Sequence, residues 1–427
     1  MKPKLIGILL FALILNQSFL CSKVTSVAGL QLPNVNGDIA VLASDSLEGR
    51  GTGTEGERKA SRYLISRMTA LGLTPKGEAG SWTQSFSFKP HPPVQMHQIG
   101  DSVTMGMAVV KEITGQNVIG YLDNGSAHTI VIGAHYDHLG YGDENSLWTG
   151  EREIHNGADD NASGVSCMLE LARRIKMEPT RFNNNNFLFI AFSGEEKGLW
   201  GSNFFTKHPT IDTASMNYMI NMDMVGRLNA DRVVAINGTG TSPKWTDILP
   251  KIKAGNIKQV TSESGVGPSD HTSFYHIGVP ALHFFTGQHT DYHKPTDDAN
   301  LINYAGVVSV TDFITELIRQ LDPIGPLPFT RTKDEKEASA ADFKVTLGVV
   351  PDYLFDGLGM RIDGTRDGRP AAKAGLKQGD VVKKIDGFIV TDMMSYMEAL
   401  GKFEKGQKSV VEYEREGKIQ TVEVIWD

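Results

Sequence analysis

Two kinds of apolar pattern alternate through the middle of this chain. Thr129 to Ala134 (TIVIGA) and Phe187 to Phe192 (FLFIAF) are short, unbroken runs rich in β-branched or aromatic residues. Strands buried on both faces of a parallel sheet read this way, because neither face meets solvent. Asn217 to Met222, Arg232 to Ile236 and Ala281 to Phe285 continue the series. Between the runs the period lengthens. Val165, Met168, Leu169, Ala172 and Ile175 form one stripe of a helix over 165–176, and 305–321 has helix length. Further upstream, Ala60, Tyr63, Leu64, Met68 and Leu71 mark an amphipathic helix that Gly72 stops, and 80–124 reads as short strands. Strands alternating with helices predict an α/β fold, with a mixed, largely parallel central sheet flanked by helices.

After residue 322 the pattern changes. PIGPLP followed by the charged RTKDEKEASAAD predicts a linker over 323–342. Beyond it, 343–427 reads as short strands around one helix near Met393 to Leu400, a small α+β unit. A chain of 427 residues at roughly 100–200 residues per domain has room for this unit beside a large domain over 30–322.

The start of the chain has a different character. Lys2 and Lys4 precede an apolar stretch from Leu5 to Leu15, shorter than the ~20 residues of a membrane-spanning helix. Residues 1–21 are therefore expected to be a secretory leader, which places the protein in a bacterial periplasm, at the cell surface or in the medium. Cys21, after Ser18-Phe19-Leu20, resembles a lipoprotein acceptor site, and cleavage after Ser26-Val27-Ala28 is the alternative. Without Cys21, Cys167 is a lone thiol and no internal disulfide can form. The formal charge of −8 provides no basic footprint, so no nucleic-acid partner is expected. Membrane contact is expected only through a lipid anchor at Cys21.

Residues with metal-binding chemistry stand where the apolar runs stop. His135 and Asp137 follow TIVIGA, Glu195-Glu196 follow FLFIAF, and Asp223 follows NYMINM. Ligands of open α/β sheets bind beyond the carboxyl ends of the strands, so these side chains can converge although far apart in sequence. Asp159-Asp160 lie in the tight turn GADDNASG. Each group alone has an ordinary reading: a surface histidine with an acidic neighbour, a capping turn, a solvated acidic pair. Their recurrence at successive strand ends argues for a metal site. Asp270-His271 and Asp291-Tyr292-His293 can complete it, and spacing alone leaves His271 open between ligand and structural roles.

GAHYDH, GADDNASG, SGEEKGLWGS, NMDMVG, PSDHTSF and YHKPTDD, in that order, resemble the M28 family of co-catalytic zinc peptidases, particularly its aminopeptidases, over 35–322. The resemblance implies two Zn²⁺, at a site whose oxygen and imidazole donors also suit Co²⁺ or Mn²⁺. By position it implies His135, Asp159 and Asp223 on one ion and Asp159, Glu196 and His293 on the other, with Asp159 bridging. Glu195 falls at the general base, Asp137 behind His135 as its supporting carboxylate, and Tyr292 where it can stabilise an oxyanion. Asp160, His138, Asp270 and His271 are left outside the ligand set. The implied activity is that of a metal-dependent exopeptidase, an aminopeptidase that releases N-terminal residues from free-amine peptides by a bridging hydroxide on two zinc ions. A carboxypeptidase of the same fold is the alternative, with Arg152, Arg227 and Lys294 as cations near the motifs. Relatives resembling glutaminyl cyclases use one zinc, whereas every ligand position is filled here.

Residues 343–427 resemble a PDZ domain of the bacterial protease-associated type. LGVV (Leu347–Val350) resembles its carboxylate-binding loop and PAAKAGLKQGDVVKKIDG its core. This implies capture of a C-terminal peptide as an added strand at Leu347, Gly348 and Val349. The alternatives are a module that only covers the large domain, or a non-catalytic peptide-binding protein working through this groove.

Overall fold

The computed structural model describes residues 35–88, 94–99, 102–107, 112–332, 345–351, 355, 357–365, 368–391 and 393–427. The expected leader over 1–21, with Cys21, lies outside the described residues, as does the part of the expected linker from 333 onward.

Among the described residues the central sheet of the large domain has nine strands: β1 (Thr74–Pro75), β2 (Thr83–Phe88), β3 (Ile113–Leu122), β4 (Thr129–His135), β5 (Asn186–Phe192), β6 (Met216–Met222), β7 (Val233–Asn237), β8 (Lys258–Ser262) and β9 (Ala281–Phe285). Their order is β1-β3-β5-β4-β6-β9-β7-β8, with β2 also paired to β3. The centre, β5-β4-β6-β9, is parallel, whereas β3 joins β5 and β7 joins β9 antiparallel. The sheet is thus mixed and largely parallel.

Side-chain alternation explains why the central strands show no polar positions. Ile130 and Ile132 point to the face covered by the helices Gly164–Met177 and Tyr304–Leu321, and Val131 between them points to the opposite face, where Phe205 and Phe274 pack. Both sets are fully buried, and each such side chain stabilises the fold by about 1.5–3 kcal/mol. The register Ile132 to Phe189 and Ile132 to Ile220 brings the three central strands to a common end.

The described part of the expected linker, residues 323–332, is mostly exposed and touches the large domain at Leu327 and Thr332 among other points. Leu327 is buried and its N–H donates to Asn217, while Thr332 donates its N–H to the Tyr275 hydroxyl and accepts the Gly265 amide on its own hydroxyl. The C-terminal domain has its own core around Leu347, Ile362, Val382, Ile385, Val411 and Trp426. Its long hairpin, Lys408–Arg415 with Lys418–Ile425, pairs with Val381–Ile385, and the helix Met393–Leu400 lies where the apolar pattern placed it. Among the described residues no helix is long and apolar enough to cross a membrane.

Candidate metal centre

β4 delivers His135 at its last position, β5 is followed by Glu195 and Glu196, and β6 by Asp223. The His135 ring is buried. Its Nδ1 lies 3.2 Å from the Asp137 carbonyl oxygen and 3.7 Å from the Asp137 carboxylate. The carboxylate is already engaged, accepting from the Thr52 hydroxyl at 2.7 Å and the Glu195 amide at 3.2 Å. Asp137 therefore holds the ring mainly through its main chain, while its side chain ties the loop after β5 to the loop after β4. With Nδ1 turned to Asp137, Nε2 is the ring atom that faces the cluster.

The acidic pair in the Gly-rich turn resolves differently from expectation. It is Asp160, not Asp159, that faces both imidazole–carboxylate groups. One oxygen of Asp160 lies 3.3 Å from His135 Nε2, which is also 3.3 Å from Asp223. The other lies 3.3 Å from His293 Nε2, itself 3.2 Å from Glu196. Asp159 turns the opposite way into the protein. It accepts from the Gly226 amide at 2.6 Å and the Ser163 hydroxyl at 3.0 Å, and its second oxygen lies 3.1 Å from His289 Nε2. Adjacent side chains in a non-helical turn point to opposite sides, and the Gly226 amide claims Asp159.

Asp297 sets the phase of that turn. One of its carboxylate oxygens accepts the amides of both Asp159 and Asp160, at 2.8 and 3.0 Å, and its carbonyl accepts from Ala158. Arg50, fully buried, adds a clamp: its guanidinium donates to the carbonyls of Leu42, Tyr136, Asn156 and Gly157. It thereby joins the loop after β4 to the acidic turn. Burial lowers its pKa to about 10, against the pull of the Asp160 and Asp137 carboxylates.

Two imidazoles stand at the second group. His293 anchors Nδ1 on the Asn145 carbonyl at 2.9 Å and turns Nε2 inward. His138, expected outside the ligand set, has Nδ1 2.7 Å from Glu196 and 3.8 Å from Asp160, at the distance of a hydrogen bond that orients Glu196. Tyr292 stacks on His293, with ring centres 3.9 Å apart, and lines the chamber above the carboxylates together with Glu195.

The electrostatics follow from crowding acids and imidazoles out of water. Burial alone would lower His293, yet Glu196 and Asp160 raise it to about 10, and His135 is raised in the same way by Glu195 and Asp223. Against the upward push of burial, the imidazoles hold Asp160 well below the carboxylate range and bring Glu196 to about 2. Glu195 moves in the opposite direction: burial raises it, and Asp223, Asp270 and Glu196 add to the effect. Asp270 and His271 are fully buried, and His271 stacks on His283, which lines the chamber, with centres 4.7 Å apart; burial lowers the pKa of both rings, that of His283 to about 4.

In the C-terminal domain, Leu347 is a core residue whose carbonyl accepts from Ala371, and Gly348 has φ +73. A Cβ on Gly348 would lie 2.2 Å from that of Arg369, so the loop needs glycine there. Val349 begins the strand behind the loop.

The model of peptidase family M28 matches residues 117–318, which contain all of these ligand-type side chains, and that of the PDZ domain matches 336–425. The chain joins a peptidase family M28 domain to a C-terminal PDZ domain. Similar curated proteins include Aminopeptidase YwaD of Bacillus subtilis, 26% identical over 56% of this chain and 51% of that protein. A probable leucine aminopeptidase of Arthroderma otae is 32% identical over 43% of this chain and 50% of its own length. The chain thus spans about half the length of these relatives. Among solved structures, an aminopeptidase from Aneurinibacillus sp. strain AM-1 superposes with a TM-score of 0.52 at 18% identity, covering 71% of this chain and 96% of that one. Porphyromonas gingivalis glutaminyl cyclase does so with 0.51 at 16%, covering 67% and 97%. At these identities the likeness is one of fold alone.

Sequence reasoning missed the side that Asp160 faces, the contact of His138 with Glu196, and the supports Asp297, Arg50 and Thr52. Asp297 lies within the motif YHKPTDD, which is its only sequence signal. Arg50, inside the Gly-rich segment 49–56, had none.

Proposed function

We propose that the M28 domain is a di-zinc aminopeptidase. The observation that carries this reading is the donor set: Asp160, Glu196 and Asp223 crowd together with imidazoles as their only close ion-pair partners among the described residues. Buried carboxylates without a lysine or arginine call for a cation, and two groups have donor atoms spaced to hold one, His135 with Asp160 and Asp223, and His138 with Asp160 and Glu196. At the second group His293 is the better placed imidazole, with Nε2 3.3 Å from Asp160 and 3.2 Å from Glu196, whereas His138 Nδ1 is 3.8 Å from Asp160. His135, Asp160 and Asp223 would hold one ion, and Asp160, Glu196 and His293 the other, with His138 steadying Glu196. Cobalt or manganese fits the same donors.

When bound, two such ions would lower the pKa of water from 15.7 toward ~7 and polarise a peptide carbonyl. The protein supplies the rest. Glu195, adjacent to the ligand Glu196 and lining the chamber, takes the proton of the attacking water and passes it to the leaving amine. Tyr292 borders the space where the oxyanion develops. The chamber holds only about 80 Å³, which suits the end of a chain rather than its middle. Substrates are peptides with a free N-terminus. The PDZ domain captures C-terminal peptides through the backbone of Leu347 to Val349, and export follows from the leader-like residues 1–21.

Chelation should abolish hydrolysis of aminoacyl chromogenic substrates, and Glu195→Gln should bind metal normally by elemental analysis while losing at least ~100-fold in kcat. Full turnover by Glu195→Gln, or release of C-terminal residues from peptides with blocked amines, would overturn the reading.

A further inference from the structure

The chamber over the carboxylates opens outward. Gln288 and Tyr292 line both it and a second cavity of about 760 Å³. The near wall of this outer cleft belongs to the M28 domain, with Trp148 and Lys294. Its far wall belongs to the PDZ domain, with Thr365, Arg369 and Gln378. The two spaces carry opposite charge. Asp160, Glu195, Glu196 and Asp223 surround the inner one, whereas Lys294 and Arg369 line the outer one and no carboxylate does so among the described residues.

We propose that the outer cleft is a binding site for the carboxylate end of short peptides, with Arg369 of the PDZ domain and Lys294 of the M28 domain as its cations. The inference rests on the aminopeptidase reading and names the substrate class of that site. A short peptide is a zwitterion, and its two ends match the two charges: the ammonium points into the acidic chamber and the carboxylate outward to the cations. Arg369 is half-exposed, and its guanidinium lies 3.3 Å from the Asp427 carboxylate, outside the cleft lining. Its other donors can take a substrate carboxylate in the planar, paired geometry arginine favours. Lys294 rests on the Thr290 carbonyl at 2.7 Å and keeps further N–H donors. The cleft volume falls in the ~300–1,000 Å³ range of small-ligand pockets. It therefore has room for the rest of a short peptide, and the PDZ wall bounds its length. The PDZ domain thereby has a part in substrate choice separate from its strand-capturing groove.

The test uses the full-length, metal-loaded protein with Leu-Gly-Gly, its C-terminal amide, and leucine p-nitroanilide. For the wild type, kcat/KM should favour the free acid over the amide by about tenfold, mainly through KM, and the preference should shrink at ~0.5 M salt as exposed charges are screened. Arg369→Glu should bring the ratio to one or below, and Arg369→Lys should keep part of it. A wild-type ratio near one, a ratio unmoved by Arg369→Glu, or a preference indifferent to salt would each overturn the proposal. The salt series decides the matter even if Arg369→Glu fails to fold. Cleavage of the anilide without an acid preference removes this inference alone, whereas failure to cleave all three substrates removes the aminopeptidase reading and the inference with it.

Discussion

Asp159 and Asp160 differ only in the direction each faces, and everything at the centre depends on that difference. Asp160 presents an oxygen to each imidazole–carboxylate group, and Asp159 receives the Gly226 amide and Ser163 hydroxyl. The two acids should therefore fail in different ways when changed. Asp160→Ala removes the donor shared by the two candidate metal groups, and metal content by elemental analysis should fall by at least ~10-fold at matched free zinc, with the fold intact by circular dichroism. Asp159→Asn keeps an acceptor for Gly226 and should bind both ions, while losing about 1–3 kcal/mol in denaturant unfolding from the disturbed buried network. The opposite pattern would return the bridge to Asp159.

At the scale of elements, the centre exists because the Gly164–Met177 helix starts in close contact with the end of β6. A Cβ on Gly164 would lie 2.5 Å from the Met222 carbonyl oxygen and 2.3 Å from the Asn161 side chain. Asn161 in turn donates to the Met222 carbonyl and accepts from the Gly164 and Met224 amides, so the helix start, the acidic turn and the loop carrying Asp223 are fastened at one point. Gly164→Ala should force them apart. We expect a stability loss of about 1–3 kcal/mol, the usual cost of overpacking, together with weaker metal binding measured by competition with a chromogenic chelator. Unchanged metal affinity in a folded Gly164→Ala protein would show that this contact does not position the centre.

At the scale of the whole molecule, the two domains have separate hydrophobic cores, and the ligand-type residues belong to the larger. Metal that binds only the folded site stabilises the unit containing it by mass action. Calorimetry of the full-length protein should therefore show two transitions, with EDTA lowering the midpoint of one and leaving the other in place. A single transition that shifts as a unit would mean that the domains unfold together. Cys167, the single cysteine among the described residues, adds no covalent tie there: it is fully buried beside Thr311, and burial pushes its thiol up to about 12.

Much was legible along the chain. Short unbroken apolar runs rich in β-branched and aromatic residues read as strands covered on both faces, three-and-four spacing buries one side of a helix, and acids and histidines directly after parallel strands gather at one edge of the sheet. Periodicity is a local property, so TIVIGA, FLFIAF and the 165–176 stripe placed β4, β5 and the helix between them. The same logic brought His135, Glu195, Glu196 and Asp223 to one place. What the chain alone left open is the direction of a side chain in an irregular turn. Asp159 and Asp160 have the same chemistry and adjacent positions, and no period separates them. The choice was made by partners far away in sequence, the Gly226 amide that takes Asp159 and the Asp297 carboxylate that holds both turn amides. Likewise, no pattern within either domain could place Arg369 across a cleft from Lys294, because that juxtaposition depends on how two separately folded units meet.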